Sequence, residues 1–537
     1  MSYVFLISGP ISVGKTALMT KFEQRFGAKR LSTRQILLKI DATADREALI
    51  KLGIDKDQQT GGKWVFDGFK AVSGDEPDGT IWLIDAVRTS EQVAHFREAL
   101  GERVRHIHLT APIGVLRERY ASRPAELKEF PTYDDAKLHG TEQNIESLAK
   151  GADFVIETDR SDPASLLARA TAGLGLFPRA PEQCVDVLVG AQYGSEGKGN
   201  ICAHIAEEYQ VLVRVGGPNA GHKVAHPKYD YIQMPSGTLS NLTAKILIGA
   251  GATLSVLQVL KEIKDLNLTP DRLSIDPQAV IIEDADKQQE ERTLEVIGST
   301  KKGVGAATAR KIMGRDGQEY WGSKVRLARD IPEFKEFIRC TKTELEKAYA
   351  AGHRVLLEGT QGTDLSIHHG QYPHVTSRET TASGCLADAG IAPSRVRKVI
   401  MVMRTYPIRV GGESGPMANP INFRIVAERS GISEASIANT EVGTVSGKQR
   451  RIAEFDWDQI RRAASINGVT DIALTFADYI DVANRPARRF NELTPETKSF
   501  IEEVELVTNA SVSLIAKDFG KDAVIIDRRT WGKGSKQ

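Results

Sequence analysis

Four cysteines in 537 residues leave no basis for a disulfide framework. Cys184, Cys202, Cys340 and Cys385 are widely spaced, without a CxxC pair or histidines at zinc-ligand spacing. They read as reduced thiols of a cytoplasmic chain. An excess of one charge is also missing: 71 Lys and Arg face 70 Asp and Glu, for a net charge of +1. No global field draws such a chain to nucleic acid or to a membrane surface. Long hydrophobic runs are absent. The opening MSYVFLISGP breaks after a few apolar residues and has no basic segment ahead of it. It is too short for a membrane span and reads as a buried strand. There is no long repeat and no low-complexity segment. What remains is an ordinary globular composition, 41% hydrophobic and 26% charged, in a chain long enough for at least two domains.

Two strand–glycine-loop–helix units open similar blocks, one at Tyr3 and one at Val185. In the first block, apolar runs at 4–7, 64–66, 81–84, 106–109 and 154–156 alternate with helical patterns. In the second, strands are predicted near 185–189, 212–215, 245–248, 355–357, 398–403 and 472–475. Strands separated by helices imply mostly parallel sheets covered on both faces. The expected fold is therefore α/β, with two P-loop-type three-layer α/β/α domains. A helical stretch at 163–172 runs into Gly- and Pro-rich residues 173–181, the best linker candidate. The domains are placed at 1–177 and 185–537, with a linker at 178–184. The basic end, residues 528–537, is expected to be loose.

Gly9-Pro10-Ile11-Ser12-Val13-Gly14-Lys15-Thr16 fits GxxxxGK[ST], after a strand and before a helical pattern. That context predicts a P-loop, with Lys15 reaching the β/γ-phosphates of ATP and the Thr16 hydroxyl on Mg²⁺. An apolar strand then ends in Asp85 and Arg88, suited to Mg²⁺ or its water and to an acceptor phosphate respectively. Arg117, Arg119 and Arg123 gather further positive charge, either as a lid around a moving phosphoryl group or as a solvated helix face. Leu31-Ser32-Thr33-Arg34-Gln35-Ile36-Leu37 resembles the acceptor segment of adenylate-kinase-type enzymes. Residues 1–172 thus resemble P-loop nucleotide and small-molecule kinases. Binding without transfer stays open.

The second glycine loop is Gly190-Ala191-Gln192-Tyr193-Gly194-Ser195-Glu196-Gly197-Lys198-Gly199-Asn200, followed by Gly216-Gly217-Pro218-Asn219-Ala220-Gly221-His222. Glycines let backbone N–H groups approach a phosphate, and Lys198 adds a point charge. A helix expected near Ile201 would turn its positive end to the same anion. Further motifs follow: Met234-Pro235-Ser236-Gly237, Ile297-Gly298-Ser299-Thr300, Glu358-Gly359-Thr360-Gln361-Gly362, Tyr372-Pro373-His374-Val375-Thr376 and Val442-Gly443-Thr444-Val445-Ser446-Gly447-Lys448-Gln449-Arg450. In this order they resemble the adenylosuccinate synthetase family over nearly all of 185–537.

That family phosphorylates O6 of a purine nucleotide with a nucleoside triphosphate, then lets the amino group of L-aspartate displace the phosphate. The resemblance implies Mg²⁺, with ligands at the Gly221 carbonyl and Ser195. It makes His222 the acid that stabilises charge on O6 or on the phosphoryl group. Lys198 and the backbone of Gly194, Glu196, Gly197 and Gly199 would cradle that group. Asn219, Thr300, Gln361 and Thr376 would hold the purine nucleotide, and Arg315 would reach a phosphate from a neighbouring subunit of a homodimer. Thr444, Ser446, Lys448 and Arg450 would bind the aspartate carboxylates. His204, His368, His369 and His374 are read as structural.

Three departures carry weight. Ser195 stands where the family has a catalytic Asp, and serine is no anionic base. It is smaller and tolerates a 2-amino group beside purine N1, that is, guanine. A phage-type branch that makes N6-succino-2-amino-2'-deoxyadenylate from dGMP has the same replacement. Lys448 replaces an Arg near the aspartate and ribose, which could fit a deoxyribose site. Thr475-Phe476-Ala477-Asp478 keeps the Asp of the family's guanine-reading TKLD but not its Lys, so ATP or GTP stays open as donor. Three readings follow: a dGMP-dependent ligase fused to a kinase, an IMP-dependent adenylosuccinate synthetase, and a nucleotide sensor without turnover. Retention of Lys198, His222, Gln361 and Arg450 argues against the last.

Overall fold

The structure is a computed structural model that describes residues 3–74, 79–124, 128, 130–138, 142, 144–174, 176, 183–294, 297–443, 447–520 and 524–529. The chain divides into two compact units, Met1–Phe177 and Pro178–Gln537. Most of the expected linker and residues 530–537 of the basic end lie outside the described residues. Among the described residues no helix is long and apolar enough to cross a membrane.

The first unit is built on a five-stranded parallel sheet in the order β2-β3-β1-β4-β5. Its strands are β1 (Val4–Ser8), β2 (Lys29–Ser32), β3 (Trp82–Asp85), β4 (Val104–Thr110) and β5 (Phe154–Glu157). β1 is buried along its whole length, as a central parallel strand must be when helices cover both faces. Phe5 and Ile7 pack on one side with Leu18, Met19 and Phe22 of α1 (Lys15–Phe26). Val4 and Leu6 pack on the other with Trp64, Val65, Phe69 and Phe96.

One expectation fails here. Residues 64–66 are not a strand but part of the helix Lys63–Ser73. The apolar residues recur at Phe69 and Val72, a helical spacing that a three-residue window conceals. The segment 31–37 is split: β2 ends at Ser32, whose hydroxyl caps the helix Thr33–Ile40 by accepting from the Gln35 N–H at 3.0 Å.

The second unit carries a nine-stranded sheet. Its order is Leu273–Ile275, Lys245–Ile248, Val211–Arg214, Val355–Glu358, Val185–Gly190, Val396–Arg404, Asp471–Thr475, Ser511–Ala516 and Ile525–Asp527. All neighbours pair in parallel except the last, which runs antiparallel to Ser511–Ala516. Val185–Gly190 lies at the centre and is buried throughout. The helix after it begins at Lys198, three residues before the expected start near 201. Gly197 makes this possible by taking φ 89° as the N-cap, a left-handed conformation that only glycine adopts cheaply. Both units are thus α/β with mostly parallel sheets, as the alternation of strands and helices requires.

Candidate active site

Open parallel sheets hold ligands at the carboxyl ends of their strands. In the second unit two cavities of about 510 and 500 Å³ are lined in part by loops that follow the strand ends. They meet at Gly194, Ser195, Gly221, His222 and Arg450, which line both.

The glycine loop is folded around a buried ion pair. Glu196 Oε1 accepts the N–H groups of Gln192 (3.0 Å) and Gly194 (2.7 Å), and Oε2 takes the Lys198 ammonium at 2.6 Å. Lys198 also donates to the Gly194 carbonyl at 3.2 Å. Neither charged side chain of this pair exceeds 1% exposure. A Cβ on Gly190 would fall 2.6 Å from Glu196 Oε2 and 2.7 Å from the Gln361 carbonyl, so the loop can lie this close only over a glycine. Ser195 carries its hydroxyl between the cavities without a hydrogen-bond partner among the described residues, while Arg404 donates to its carbonyl at 3.1 Å.

His222 opens the short hairpin His222–Val224/Tyr229–Tyr231. Its Nδ1 donates to Glu358 Oε1 at the end of the strand Val355–Glu358. The same oxygen accepts Arg214 Nη1 at 2.9 Å and the Ser236 hydroxyl at 2.5 Å, while Oε2 accepts the Ser236 N–H at 2.7 Å. Arg214 also donates to the carbonyls of Ala220 and Ile232, both at 3.1 Å, which fixes the turn bearing His222. Burial pulls His222 down to about 4, and the Arg214 charge adds to it. Burial alone would raise Glu358, but Arg214 and His222 outweigh it and hold the carboxyl at about 2. Arg214 already balances Glu358, so a proton on His222 would leave a buried net positive charge. The imidazole is therefore neutral, with its proton on Nδ1 by the logic of the network. Its buried Nε2 has no partner among the described residues, and the residue lies at the cavity junction. A phosphoryl anion there would supply the missing counter-charge and make Nε2 a proton donor.

The larger cavity is lined by Asn219, Thr300, Gln361, Thr376 and Arg409, among others. Asn219 Nδ2 donates to the Thr376 hydroxyl at 3.3 Å, leaving its buried Oδ1 unpaired. Gln361 has φ 62°, a conformation that costs a non-glycine residue about 1–3 kcal/mol and concentrates at functional sites. Its Oε1 accepts from Thr360 at 2.8 Å, and its buried Nε2 has no partner among the described residues. Unpaired buried donors and acceptors of this kind are expected where a polar ligand completes the set.

Arg450 reaches the junction with Nη1 on Glu441 at 3.1 Å and a buried Nε without a partner among the described residues. Glu441 also binds Arg404, whose guanidinium lies 3.9 Å from the centre of the Phe476 ring. In the smaller cavity Asp478 Oδ2 accepts from Arg485 Nε and Nη2, both at 3.0 Å, while Oδ1 is buried and unpaired. Burial pushes Asp478 up to about 6 despite Arg485. Among the described residues no three His, Cys, Asp or Glu side chains gather as a metal site. The hard oxygens at the junction are the Gly221 carbonyl and the Ser195 hydroxyl. They suit Mg²⁺, which keeps most of its coordination for water and substrate oxygens.

Not every expected residue is brought in. Arg315 is exposed, donates to the Ile312 carbonyl at 2.7 Å and lines neither cavity within this chain. Lys448 is exposed and likewise outside both. Thr444 and Ser446 lie outside the described residues. Sequence reasoning missed Glu358, Arg214, Arg404 and Glu441 as parts of the site.

In the first unit, Gly9–Thr16 joins β1 to α1, with Gly9 at φ 133° and Gly14 at φ 105°. Lys15 Nζ folds back onto the carbonyls of Gly9 (2.5 Å) and Pro10 (2.9 Å), and burial, then Arg88, pulls it down to about 8. Thr16 is exposed at the first turn of α1. Asp85 at the end of β3 is paired with Arg30 of β2, and Arg88 with Glu142. Glu142 also accepts the Ile11 N–H at 3.1 Å. Arg117 is tied to Asp134 at the surface and Arg119 to Thr158, whereas Arg123 keeps one buried nitrogen unpaired among the described residues. Arg30 and Glu142 carry no motif that would have singled them out.

A family model described as adenylosuccinate synthetase matches residues 187–321 and 323–485. The adenylosuccinate synthetase of Methanocaldococcus jannaschii is 38% identical over 341 residues, covering 62% of this chain and 93% of the relative. Among solved structures, the fully ligated adenylosuccinate synthetase of Plasmodium falciparum aligns with a TM-score of 0.55 at 21% identity, over 64% of this chain and 100% of that one. The succinoaminodeoxyadenylate synthetase of cyanophage S-2L, solved with dGMP and with dATP as energy donor, aligns at 0.53 and 27% identity, over 66% of this chain and 97% of that one. The family match lies wholly within the second unit. The chain belongs to the adenylosuccinate synthetase family, ligases that form a C–N bond to aspartate with a nucleoside triphosphate and Mg²⁺.

Proposed function

We propose that the second unit joins L-aspartate to dGMP, giving N6-succino-2-amino-2'-deoxyadenylate. The carrying observation is Ser195, whose short hydroxyl has no hydrogen-bond partner among the described residues and which lines both cavities, where the family has an Asp. A hydroxyl there can hydrogen-bond purine N1 and leaves room for the 2-amino group, which a carboxylate would crowd. The cyanophage enzyme, 27% identical and solved with dGMP, supports the reading.

The donor nucleotide takes the smaller cavity, and dGMP with aspartate the larger. The bond between the β-phosphate oxygen and the terminal phosphorus breaks as O6 of guanine takes the phosphoryl group. The aspartate amine then attacks C6, and inorganic phosphate leaves. His222 Nε2 donates a proton to the developing charge, while Lys198 and the Gly194–Gly199 backbone cradle the phosphoryl group. Asn219, Thr300, Gln361 and Thr376 hold the nucleotide, and Arg450, with Thr444 and Ser446, holds aspartate. Arg315, exposed here, serves the site of a partner subunit in a homodimer. Mg²⁺ at the Gly221 carbonyl and Ser195 hydroxyl would neutralise phosphate charge. Asp478 lacks the lysine of the guanine-reading motif and is already engaged by Arg485, which favours ATP or dATP over GTP.

The first unit is a domain of its own that binds ATP through Gly9, Gly14, Lys15 and Thr16, the last on Mg²⁺. It passes a phosphoryl group to a deoxynucleoside or its monophosphate near Asp85 and Arg88. The archaeal relatives favour a second reading, IMP as the acceptor of the second unit. The purified chain should be given aspartate, Mg²⁺ and ATP or GTP with IMP, GMP, dIMP or dGMP in turn, and the products weighed by mass spectrometry. A succinylated product from dGMP is expected; product from IMP alone overturns the proposal.

A further inference from the structure

The first unit contains a carboxylate in an unusual place. The β1 loop and the β3 end face each other across the crevice where the crossovers of the sheet diverge, the usual ligand position in such sheets. Into this crevice, from a segment 131 residues further along the chain, comes Glu142, which is 8% exposed. Among the described residues each of its oxygens has one donor. Oε2 accepts the Ile11 N–H of the phosphate loop at 3.1 Å, and Oε1 accepts Arg88 Nη1. Lys15 lies close enough to feel the charge. A carboxylate held by a phosphate-loop amide and an arginine beside the loop lysine has the surroundings of a phosphate oxygen pair.

We infer that Glu142 occupies the terminal-phosphate position of the first unit's nucleotide site, and that a nucleoside triphosphate binds there by displacing it and taking over Ile11 N–H and Arg88. This rests on the reading of the first unit as a nucleotide site. The assignment to the terminal phosphate follows from the side of the loop involved. The start of α1 serves the inner phosphates and Lys15 reaches the β- and γ-phosphates, whereas Arg88, just past the end of β3, stands where an acceptor would stand, and Ile11 N–H shares one carboxylate with it. Two anions cannot share these donors, because their repulsion in a poorly solvated crevice is strong. A diphosphate, which lacks the third group, can bind with Glu142 in place. The site therefore discriminates against triphosphates until Glu142 leaves, and Arg88 is then free for the phosphoryl group in transit.

The full-length chain should be titrated calorimetrically with the non-hydrolysable β,γ-imido analogue of ATP and with ADP, as wild type, Lys15→Met, Glu142→Gln, Glu142→Ala and Arg88→Ala. The site that Lys15→Met removes is that of the first unit; the remaining site belongs to the second. At the first-unit site, Glu142→Gln and Glu142→Ala should tighten the triphosphate analogue at least about 10-fold and ADP by less than about 3-fold. Arg88→Ala should bring the analogue down to the affinity of ADP. Equal effects on both ligands, or no tightening in either Glu142 variant, would overturn the inference while leaving the nucleotide site standing. If Lys15→Met removes no binding site, the reading of the first unit itself falls.

Discussion

Glu358→Gln is the most informative single change in the second unit. The carboxylate receives four donors: His222 Nδ1, Arg214 Nη1, and the hydroxyl and N–H of Ser236. An amide of the same shape has one accepting oxygen and one donating nitrogen. With the oxygen towards His222 and Arg214, its NH₂ collides with the Ser236 N–H. Turned over, its NH₂ faces Nδ1 and forces the imidazole proton onto Nε2. Both arrangements leave Arg214 buried at 3% side-chain exposure without its counter-charge. Removing one partner of a buried charge pair costs about 3–5 kcal/mol, so the melting temperature should fall markedly. The kinetic effect is larger than a general loosening would give, because the tautomer of His222 loses its anchor. We expect kcat to fall about 10³-fold, equivalent to about 4 kcal/mol in the transition state. The KM values for nucleotide and aspartate should stay within about 3-fold, since the carboxylate touches neither cavity's ligand. Initial rates at saturating substrate, alongside thermal melts, measure both effects. The decisive control is the His222→Ala background, where Glu358→Gln should cost less than about 3-fold further because the two residues act as a unit. A folded Glu358→Gln enzyme with near-wild-type kcat, or one whose loss is equally large without His222, refutes the assignment.

Other outcomes follow from the same geometry. Ser195→Asp should move the kcat/KM preference from dGMP towards IMP by at least about 100-fold, or about 2.7 kcal/mol, in a competition assay; an unchanged preference removes Ser195 as the selector. Asp478→Ala should change kcat/KM with ATP by less than about 3-fold, and a tenfold loss with ATP would contradict the donor assignment. Arg450→Lys should raise the aspartate KM about 10-fold, because an ammonium cannot make the paired hydrogen bonds of a guanidinium; an unchanged KM would remove Arg450 from that site. His222 is held neutral down to about 4, whereas the unfolded chain binds that proton below about 6.5. Stability of the second unit should therefore fall as pH drops from about 6.5 to 4, and fall again as Glu358 is protonated between its unfolded value of about 4.5 and about 2. Melts of His222→Gln should lack the first of these losses; a flat wild-type profile across that range would be fatal to the reading of a neutral imidazole.

Sequence and structure agree best where burial is continuous. Strands such as Val185–Gly190 are covered on both faces, so their apolar runs stand out, and the glycine loops after them are spelled out by backbone conformations other residues avoid. Edge strands carry no such signal. β2 (Lys29–Ser32) has a single buried residue, and Ile525–Asp527, the last strand of the larger sheet, likewise has one. The lining of the two cavities was legible through Gly194, Lys198 and Asn219–His222, which follow one another closely along the chain. Its supports were not. Glu358 lies 136 residues from His222, and Arg404 lies 209 from Ser195, so pairing them requires the sheet order, which no local pattern encodes. Glu142, 131 residues from Ile11, is hidden for the same reason.

The shared wall of the two cavities has a cost. On the proposed assignment, five residues separate a bound donor from the 510 Å³ chamber of its acceptor. A triphosphate held alone therefore presents its terminal phosphorus to a space that solvent can enter, with Lys198 already drawn up beside it. Water is a competent nucleophile for that phosphorus, and nothing in the donor cavity itself tells water from O6. Idle hydrolysis is thus the natural side reaction of this architecture. The purine acts as a stopper as well as a reactant, and the order in which the two nucleotides arrive decides how much triphosphate is lost without a product.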